Sequence, residues 1–299
     1  MKILIGGATG FIGSALVPFL KNYGHEVTIL TRKRDDPRGI FWNPDESQLD
    51  GNALEGFDAI INLAGENIAG RWSEAKKQKI LDSRVKSTQL LCQTLSKLKK
   101  QPQVLLNASA IGYYGYHLEK EVDETAPKGD GFLAEVCQQW ENATQAAKDA
   151  GIRTVIMRFG VVLSPQGGAL AKMLTPFKWG LGGVVGSGKQ WMSWIALDDL
   201  LDAIFHFLTH PECEGPFNVV SPHPVTNEIF TKELSEVLNR PAFFPLPAFI
   251  AKWLLGQMAE EVLLSDAKVR PLNLQNSHFS FKYPELKDAL IHLLRGENE

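Results

Sequence analysis

Cysteine is scarce in this 299-residue chain, with Cys92, Cys137 and Cys213 the only three. They lie far apart and form no C-x-x-C or Cys/His ligand spacing, so neither a disulfide framework nor a zinc site is expected. The seven histidines are scattered, and no metal is expected. Long apolar runs are missing too, and none approaches the roughly 18–20 residues of a membrane span. The run at residues 3–5 is too short for the apolar part of a signal peptide, and the expected compartment is the cytoplasm. Net charge is small, formally −3, which leaves no global attraction for nucleic acid or an anionic membrane. The partner this leaves is a small molecule. A homodimer stays open, because the apolar segment 250–255 with Leu263 and Leu264 would line either a substrate pocket or a dimer face.

What is present suits a folded enzyme-sized protein. Hydrophobic residues make up 44% and charged residues 22%, close to soluble globular averages, and the length allows a sizeable core. A short apolar run at 2–5 is followed by a glycine-rich turn, an amphipathic stretch at 11–23 ending at Gly24, and a second apolar run at 26–30. Strand, turn, helix and strand in that space form a βαβ unit. Further apolar runs at 59–63, 104–106 and 155–159 alternate with helical patterns at 73–98 and 133–150. This alternation predicts an α/β fold with a Rossmann-type doubly wound parallel sheet over residues 1–160, its sheet completed by later segments. Beyond 160 glycines crowd 167–188 and tryptophans stand at 179, 191 and 194. A smaller C-terminal α+β region, 161–299, is expected to cover the carboxyl edge of the sheet, where open α/β folds bind ligands. Its helical stretches are expected at 198–208, 227–238, 248–258 and 286–294, with a strand at 216–220.

Gly7-Ala8-Thr9-Gly10-Phe11-Ile12-Gly13 falls between the first strand and the first helix. Its glycines allow a tight turn, close approach of backbone to a pyrophosphate, and close packing of helix on strand. The helix N-terminus attracts the anion. Gly7, Gly10, Phe11, Ile12 and Gly13 are therefore candidate cofactor-binding residues. A site for NAD(H) places a carboxylate about 20 residues further on, against the ribose 2′-hydroxyl. Here the second strand ends in Thr31-Arg32-Lys33-Arg34, without an acid until Asp35. A guanidinium can bind a 2′-phosphate bidentately, so NADP(H) is the expected cofactor, held by Arg32 with Thr31 and Lys33.

Together with later motifs these residues resemble the extended short-chain dehydrogenase/reductase superfamily. Within it the chain is similar to the atypical subgroup labelled "epimerase family", whose C-terminal part is often treated as its own domain. The marks are Gly6 to Gly13, Asn62-Leu63-Ala64-Gly65-Glu66-Asn67, Ser109-Ala110-Ile111-Gly112-Tyr113-Tyr114-Gly115, Gly180-Leu181-Gly182-Gly183, Trp194-Ile195-Ala196-Leu197-Asp198-Asp199-Leu200 and Phe217-Asn218-Val219-Val220. The resemblance implies that Leu63, Ala64 and Gly65 border the cofactor riboses. It aligns Arg84 with an asparagine of extended members, where the cation would face cofactor phosphate or simply sit on the helix surface.

The resemblance also implies a tyrosine acid/base, a lysine four residues later and a serine on the fifth parallel strand. Ser109 occupies the serine position. Anchored on Trp140-Glu141, the helix instead carries Leu133 and Cys137 where the tyrosine and lysine belong, and the usual Tyr-x-x-x-Lys pair is read as absent. Ser109 and Tyr113 are the candidate catalytic residues, with Glu66 as a further carboxylate. Methionine at 192 replaces an arginine that binds nucleotide-sugar phosphates in epimerases, with Lys189 close by. The expected function is that of an NADP(H)-dependent oxidoreductase or nucleoside-sugar-epimerase-like enzyme on a small molecule. The alternative is a non-catalytic NADP(H)-sensing regulatory protein.

Overall fold

The computed structural model describes residues 1–116 and 120–296. Ile3, Leu4 and Ile5 set the pattern of the sheet: all three are fully buried, but Ile3 and Ile5 enter one core and Leu4 the other. Val104 and Leu106 against Leu105 repeat this split. Side chains on a strand alternate between faces, so a strand apolar at every position must be covered on both sides. Each such side chain contributes roughly 1.5–3 kcal/mol by leaving water.

The strands over the first half are β1 (Lys2–Gly6), β2 (Glu26–Thr31), β3 (Gly39–Asn43), β4 (Gln48–Leu49), β5 (Ala59–Asn62), β6 (Val104–Ala110) and β7 (Arg153–Phe159). Beyond them come β8 (Val161–Ser164), β9 (Trp191–Met192), β10 (Trp194–Ala196), β11 (Gly215–Val219) and β12 (Val225–Thr226). Eight of these form one sheet in the order β11-β7-β6-β5-β1-β2-β3-β4, parallel except for the β3–β4 pair. β8 pairs with β10, and β9 with β12, as two small separate ladders.

The helices are α1 (Phe11–Asn22), α2 (Glu74–Leu95), α3 (Phe132–Asn142), α4 (Gln145–Asp149) and α5 (Gly168–Lys178). They continue with α6 (Leu197–Thr209), α7 (Asn227–Leu238), α8 (Ala248–Leu255), α9 (Leu272–Asn276) and α10 (Leu286–Arg295). Leu16 and Leu20 of α1 join Leu200, Ile204 and Phe207 of α6 on one face of the sheet. Leu91, Cys92 and Leu95 of α2 cover the other. None of the helices is long and apolar enough to cross a membrane, among the described residues.

Three details differ from the sequence expectation, while the strand expected at 216–220 forms at 215–219. The edge strands β3 and β4 were not anticipated, since residues 39–43 follow a Pro/Gly turn and show no clean alternation. The single helix expected over 133–150 is two, because the Thr144 hydroxyl donates to the Glu141 carbonyl (2.7 Å) at the break between α3 and α4. The helix expected to reach 258 stops at 255, where Gly256 takes a φ of 59°. The eighth strand of the sheet, β11, comes from beyond residue 160 and pairs with β7 from Gly215–Val155 to Val219–Phe159.

Carboxylates tie the late segments to the sheet layers. Asp199, in the first turn of α6 and fully buried, accepts the backbone N–H groups of Lys282 (2.7 Å) and Tyr283 (3.0 Å). Burial raises its pKa, against the pull of those two hydrogen bonds. Asp199→Ala leaves both buried donors unpaired and should lower stability by about 2–4 kcal/mol, read as a fall in thermal midpoint. Asp199→Asn, which keeps one acceptor oxygen, should lose less.

Candidate functional site

The glycine turn holds three chain segments in contact. Gly7 has a φ of 78°, and a Cβ on it would stand 2.5 Å from the Leu63 carbonyl oxygen at the end of β5. A Cβ on Gly13 would stand 2.3 Å from the Gly7 carbonyl oxygen. Any side chain at either position must therefore push α1 away from the sheet. Gly10 caps α1 without a side-chain oxygen, and its own N–H bonds the Gly7 carbonyl (3.0 Å). The first-turn N–H groups of α1, from Phe11 on, are thus left for an external anion, with no acidic side chain there to oppose it. Phe11 and Ile12 turn their side chains onto the core, so any role in the site belongs to their backbone. The Phe11 ring also supports Gly167 and Gly168, where a Cβ would come within 2.4 and 3.0 Å of it.

Beside this cradle the end of β2 is basic. Arg34 turns away, with Nη2 donating to Gln48 Oε1 (3.1 Å) and its guanidinium 4.4 Å above the Phe41 ring. Asp36 is occupied by Arg38 through two bonds of 2.9 Å, which hold its pKa at about 2. Lys33 donates its backbone N–H to the Thr31 hydroxyl (3.2 Å), shaping the turn. Arg32 is exposed and makes no hydrogen bond or ion pair among the described residues. The donor set that remains, Arg32 and the Lys33 side chain, suits a phosphate.

Glu66, from the loop after β5, is paired with Lys76 at 2.6 Å. That bond, with the charges of Lys79 and Arg32, holds its carboxyl below the usual range. A carboxylate kept ionised in a basic cluster is a poor proton donor, which removes the ground for Glu66 as an acid catalyst.

A buried amide network fixes the loop that precedes Glu66. Asn62 Nδ2 donates to Asn107 Oδ1 (2.8 Å) and Thr88 Oγ1 (2.9 Å), and Asn62 Oδ1 accepts the Ala64 N–H (3.3 Å). Trp140 Nε1 donates to the same Thr88 hydroxyl (3.0 Å), which latches α3 to α2. Arg84 lies one turn before Thr88 on α2. Its guanidinium packs beside Gly65, whose Cβ position is 3.1 Å from Arg84 Cζ. Leu63, Ala64 and Gly65 thus line the loop by backbone, and Arg84 lies against it.

The catalytic candidates sit in a different network. Ser109, only 2% exposed, donates its hydroxyl proton to Glu141 Oε1 (2.7 Å). Arg158 grips the same carboxylate with Nε (2.9 Å) and Nη2 (2.8 Å). Burial pulls the Arg158 pKa down, but the bonds to Glu141 and the charge of that carboxylate hold it above its ordinary value. Its Nη1 donates to the Tyr114 hydroxyl (2.9 Å), which donates in turn to Asn218 Oδ1 (2.7 Å) on β11. Burial pushes the Tyr114 phenol up to about 12. The Arg158 guanidinium also lies 3.6 Å from the centre of the Tyr113 ring. Tyr113 is half-buried, and its hydroxyl makes no hydrogen bond among the described residues. Of the two catalytic candidates, Tyr113 keeps a free proton and Ser109 does not.

On α3 the lysine position, Cys137, is a buried thiol whose pKa burial pushes up to about 11. The tyrosine position, Leu133, packs in a small core with Trp72 and Val136. The Tyr-x-x-x-Lys spacing itself does occur twice elsewhere, at Tyr116/Lys120 and Tyr283/Lys287, which corrects the reading that the pair is absent. Neither lies on α3. Tyr283 stacks on His292, and Lys287 pairs with Glu236 at 2.9 Å. Tyr116 follows the turn after β6, with 117–119 outside the described residues, and its ring packs against Gly131 at the start of α3.

The C-terminal region reaches the site through Glu261. Its carboxylate accepts the N–H groups of Phe132 (3.0 Å) and Leu133 (2.8 Å), capping α3 where Gly131 offers no side chain. Of the tryptophans at 179, 191 and 194, Trp194 is fully buried core and donates to the His223 carbonyl (3.0 Å). Trp191 is covered by Lys268, and Trp179 is 76% exposed. On α8, Phe249 and Trp253 face outward. Sequence reasoning missed Arg158, Asn218 and Glu261. For Arg158 a signal existed: an arginine inside an apolar strand must find a buried partner.

The model of the NAD dependent epimerase/dehydratase family matches residues 3–221, and that of a domain of unknown function (DUF1731) matches 246–293. An epimerase family protein of Mycobacterium bovis is 40% identical over 290 residues, 96% of each chain. A chloroplastic epimerase family protein of Arabidopsis thaliana is 40% identical over 306 residues, covering 99% of this chain and 87% of its own. The crystal structure of human epimerase family protein SDR39U1 (isoform 2) with NADPH superposes with a TM-score of 0.91 at 38% identity, over the whole of both chains.

The Glu141–Arg158 pair supplies a test of how the centre is held. Arg158→Met leaves a buried carboxylate without its cation and should destabilise by about 3–5 kcal/mol. Ser109→Ala removes one hydrogen bond and should lose about 1 kcal/mol. Chemical denaturation of both variants measures the difference; equal losses would mean that the pair does not organise the centre.

Proposed function

The chain belongs to the NAD dependent epimerase/dehydratase family, and from that premise we propose that it binds NADP(H) and moves hydride to or from a small carbonyl or alcohol substrate. One observation carries the reading: the glycine cradle opens beside a β2 end where Arg32 and the Lys33 side chain carry positive charge that no ion pair takes up among the described residues. The human relative that was crystallised with NADPH, similar over the full length, supports the choice of cofactor. The α1 N-terminus would take the pyrophosphate, Arg32 and the Thr31–Lys33 turn the 2′-phosphate, and Leu63-Ala64-Gly65 the ribose and base by backbone approach.

NADPH, when bound, supplies the hydride. Tyr113 gives the proton: its hydroxyl is free, and Arg158 beneath the ring stabilises the phenolate left behind. Towards substrate Ser109 accepts rather than donates, because its O–H is directed at Glu141. With that donor engaged, Ser109 is suited to accept from a substrate hydroxyl rather than to polarise a carbonyl.

A second reading is favoured by Leu133 and Cys137 on α3 together with the committed Ser109 proton. In it the chain binds NADP(H) without turnover and passes its redox state to a partner. Partner binding that differs between NADPH and NADP⁺, with no turnover, is its signature.

Calorimetric titration with NADPH, NADH, NADP⁺ and NAD⁺ tests the cofactor. NADPH should bind about 10- to 100-fold tighter than NADH, and Arg32→Ala should close most of that gap. No binding of any dinucleotide would end both readings. On a substrate that turns over, Tyr113→Phe should slow kcat by about 100-fold or more; unchanged kcat removes Tyr113 from the chemistry.

A further inference from the structure

Arg84 is a cation without a counterion. Its side chain comes from the middle of α2 and runs towards α3, with the guanidinium 5.1 Å from the centre of the Trp140 ring. One of its five N–H donors is used, Nη1 to the Ile80 carbonyl (3.0 Å). No carboxylate lies within 4.0 Å of it among the described residues. Removal from water lowers its pKa, and the nearest attracting carboxylate, Glu66, is already bound to Lys76. A charged group withdrawn from water with donors to spare is stable when a ligand completes it.

The surroundings indicate which part of a ligand that is. On α3, one turn before Trp140, stands Cys137, where relatives of the wider superfamily carry a lysine. Its Sγ lies 3.9 Å from the Cβ position of Gly112, in the turn that presents Tyr113. The other side of Arg84 meets Gly65, where a Cβ would stand 3.1 Å from Cζ and 3.3 Å from Nη2. The guanidinium is thus wedged between the β5 loop and α3, next to the turn bearing Tyr113, whereas the phosphate cradle is built from α1. We propose that Arg84 binds the ribose hydroxyls on the nicotinamide side of the cofactor, supplying from α2 the positive charge that α3 lacks. The planar fork matches a pair of neighbouring hydroxyl oxygens. The proposal rests on the NADP(H) reading above.

Three ligands separate the possibilities: NADPH, 2′-phospho-ADP-ribose, which keeps the second ribose but lacks nicotinamide, and 2′-phospho-ADP, which ends at the pyrophosphate. Titrated calorimetrically, Arg84→Met should bind the first two about 10- to 100-fold more weakly and the third within about twofold of the unsubstituted protein. Arg84→Lys should recover part of the loss. Equal weakening of all three ligands would assign Arg84 to the pyrophosphate or to the fold and overturn the proposal, as would unchanged binding of NADPH. Failure of the unsubstituted protein to bind any of the three would instead remove the cofactor reading on which the proposal stands.

Discussion

The Glu141–Arg158 ion pair is the interaction on which the rest of the site depends. Arg158 is buried near the end of β7, one strand in from the sheet edge, and a guanidinium there is tolerable only when it is paired and hydrogen-bonded. Glu141 supplies two bonds from α3 and Tyr114 a third from the turn after β6. Those demands fix three elements at once. They set α3 against β7, hold the Tyr113-Tyr114 turn over the strand ends, and reach β11 through Asn218. They also decide the chemistry that remains, since Glu141 engages the Ser109 O–H and leaves the Tyr113 hydroxyl free.

A second constraint is steric and acts on the cofactor side. Gly7, Gly13 and Gly65 are each pressed against a neighbour that a methyl group would strike: a carbonyl oxygen in the first two cases, a guanidinium in the third. The first two contacts bring α1 and the β5 loop within reach of one another, and the third sets Arg84. Close packing and a phosphate cradle are here the same geometric fact.

The C-terminal region is bound to this centre by polar contacts as well as by apolar packing. Glu261 caps α3, Asp199 holds the backbone at 282 and 283, and Ser193 bridges the Ala267 carbonyl (2.8 Å) and the Val269 N–H (2.9 Å). Capping of α3 from outside matters because that helix starts at a glycine and carries Leu133 and Cys137 in place of a polar pair. The cover therefore positions the helix that it lies on.

The sheet, its order of elements and the glycine turn were legible in the amino-acid sequence, because period-2 and period-3.6 apolar patterns and obligate glycines are local properties. The basic, acid-free end of β2 was legible for the same reason: three adjacent side chains and their charges need no partner to be read. The edge strands β3 and β4 were not, being too short to show a period. Neither were the surroundings of Ser109 and Glu66, which read from sequence as site residues, or of Trp194, which reads only as part of a motif. Tertiary contacts directed the Ser109 O–H at Glu141, paired Glu66 with Lys76, and buried Trp194 in the core. The partner of a hydrogen bond or an ion pair lies tens of residues away, 32 for Ser109 and Glu141, and only the folded chain chooses it.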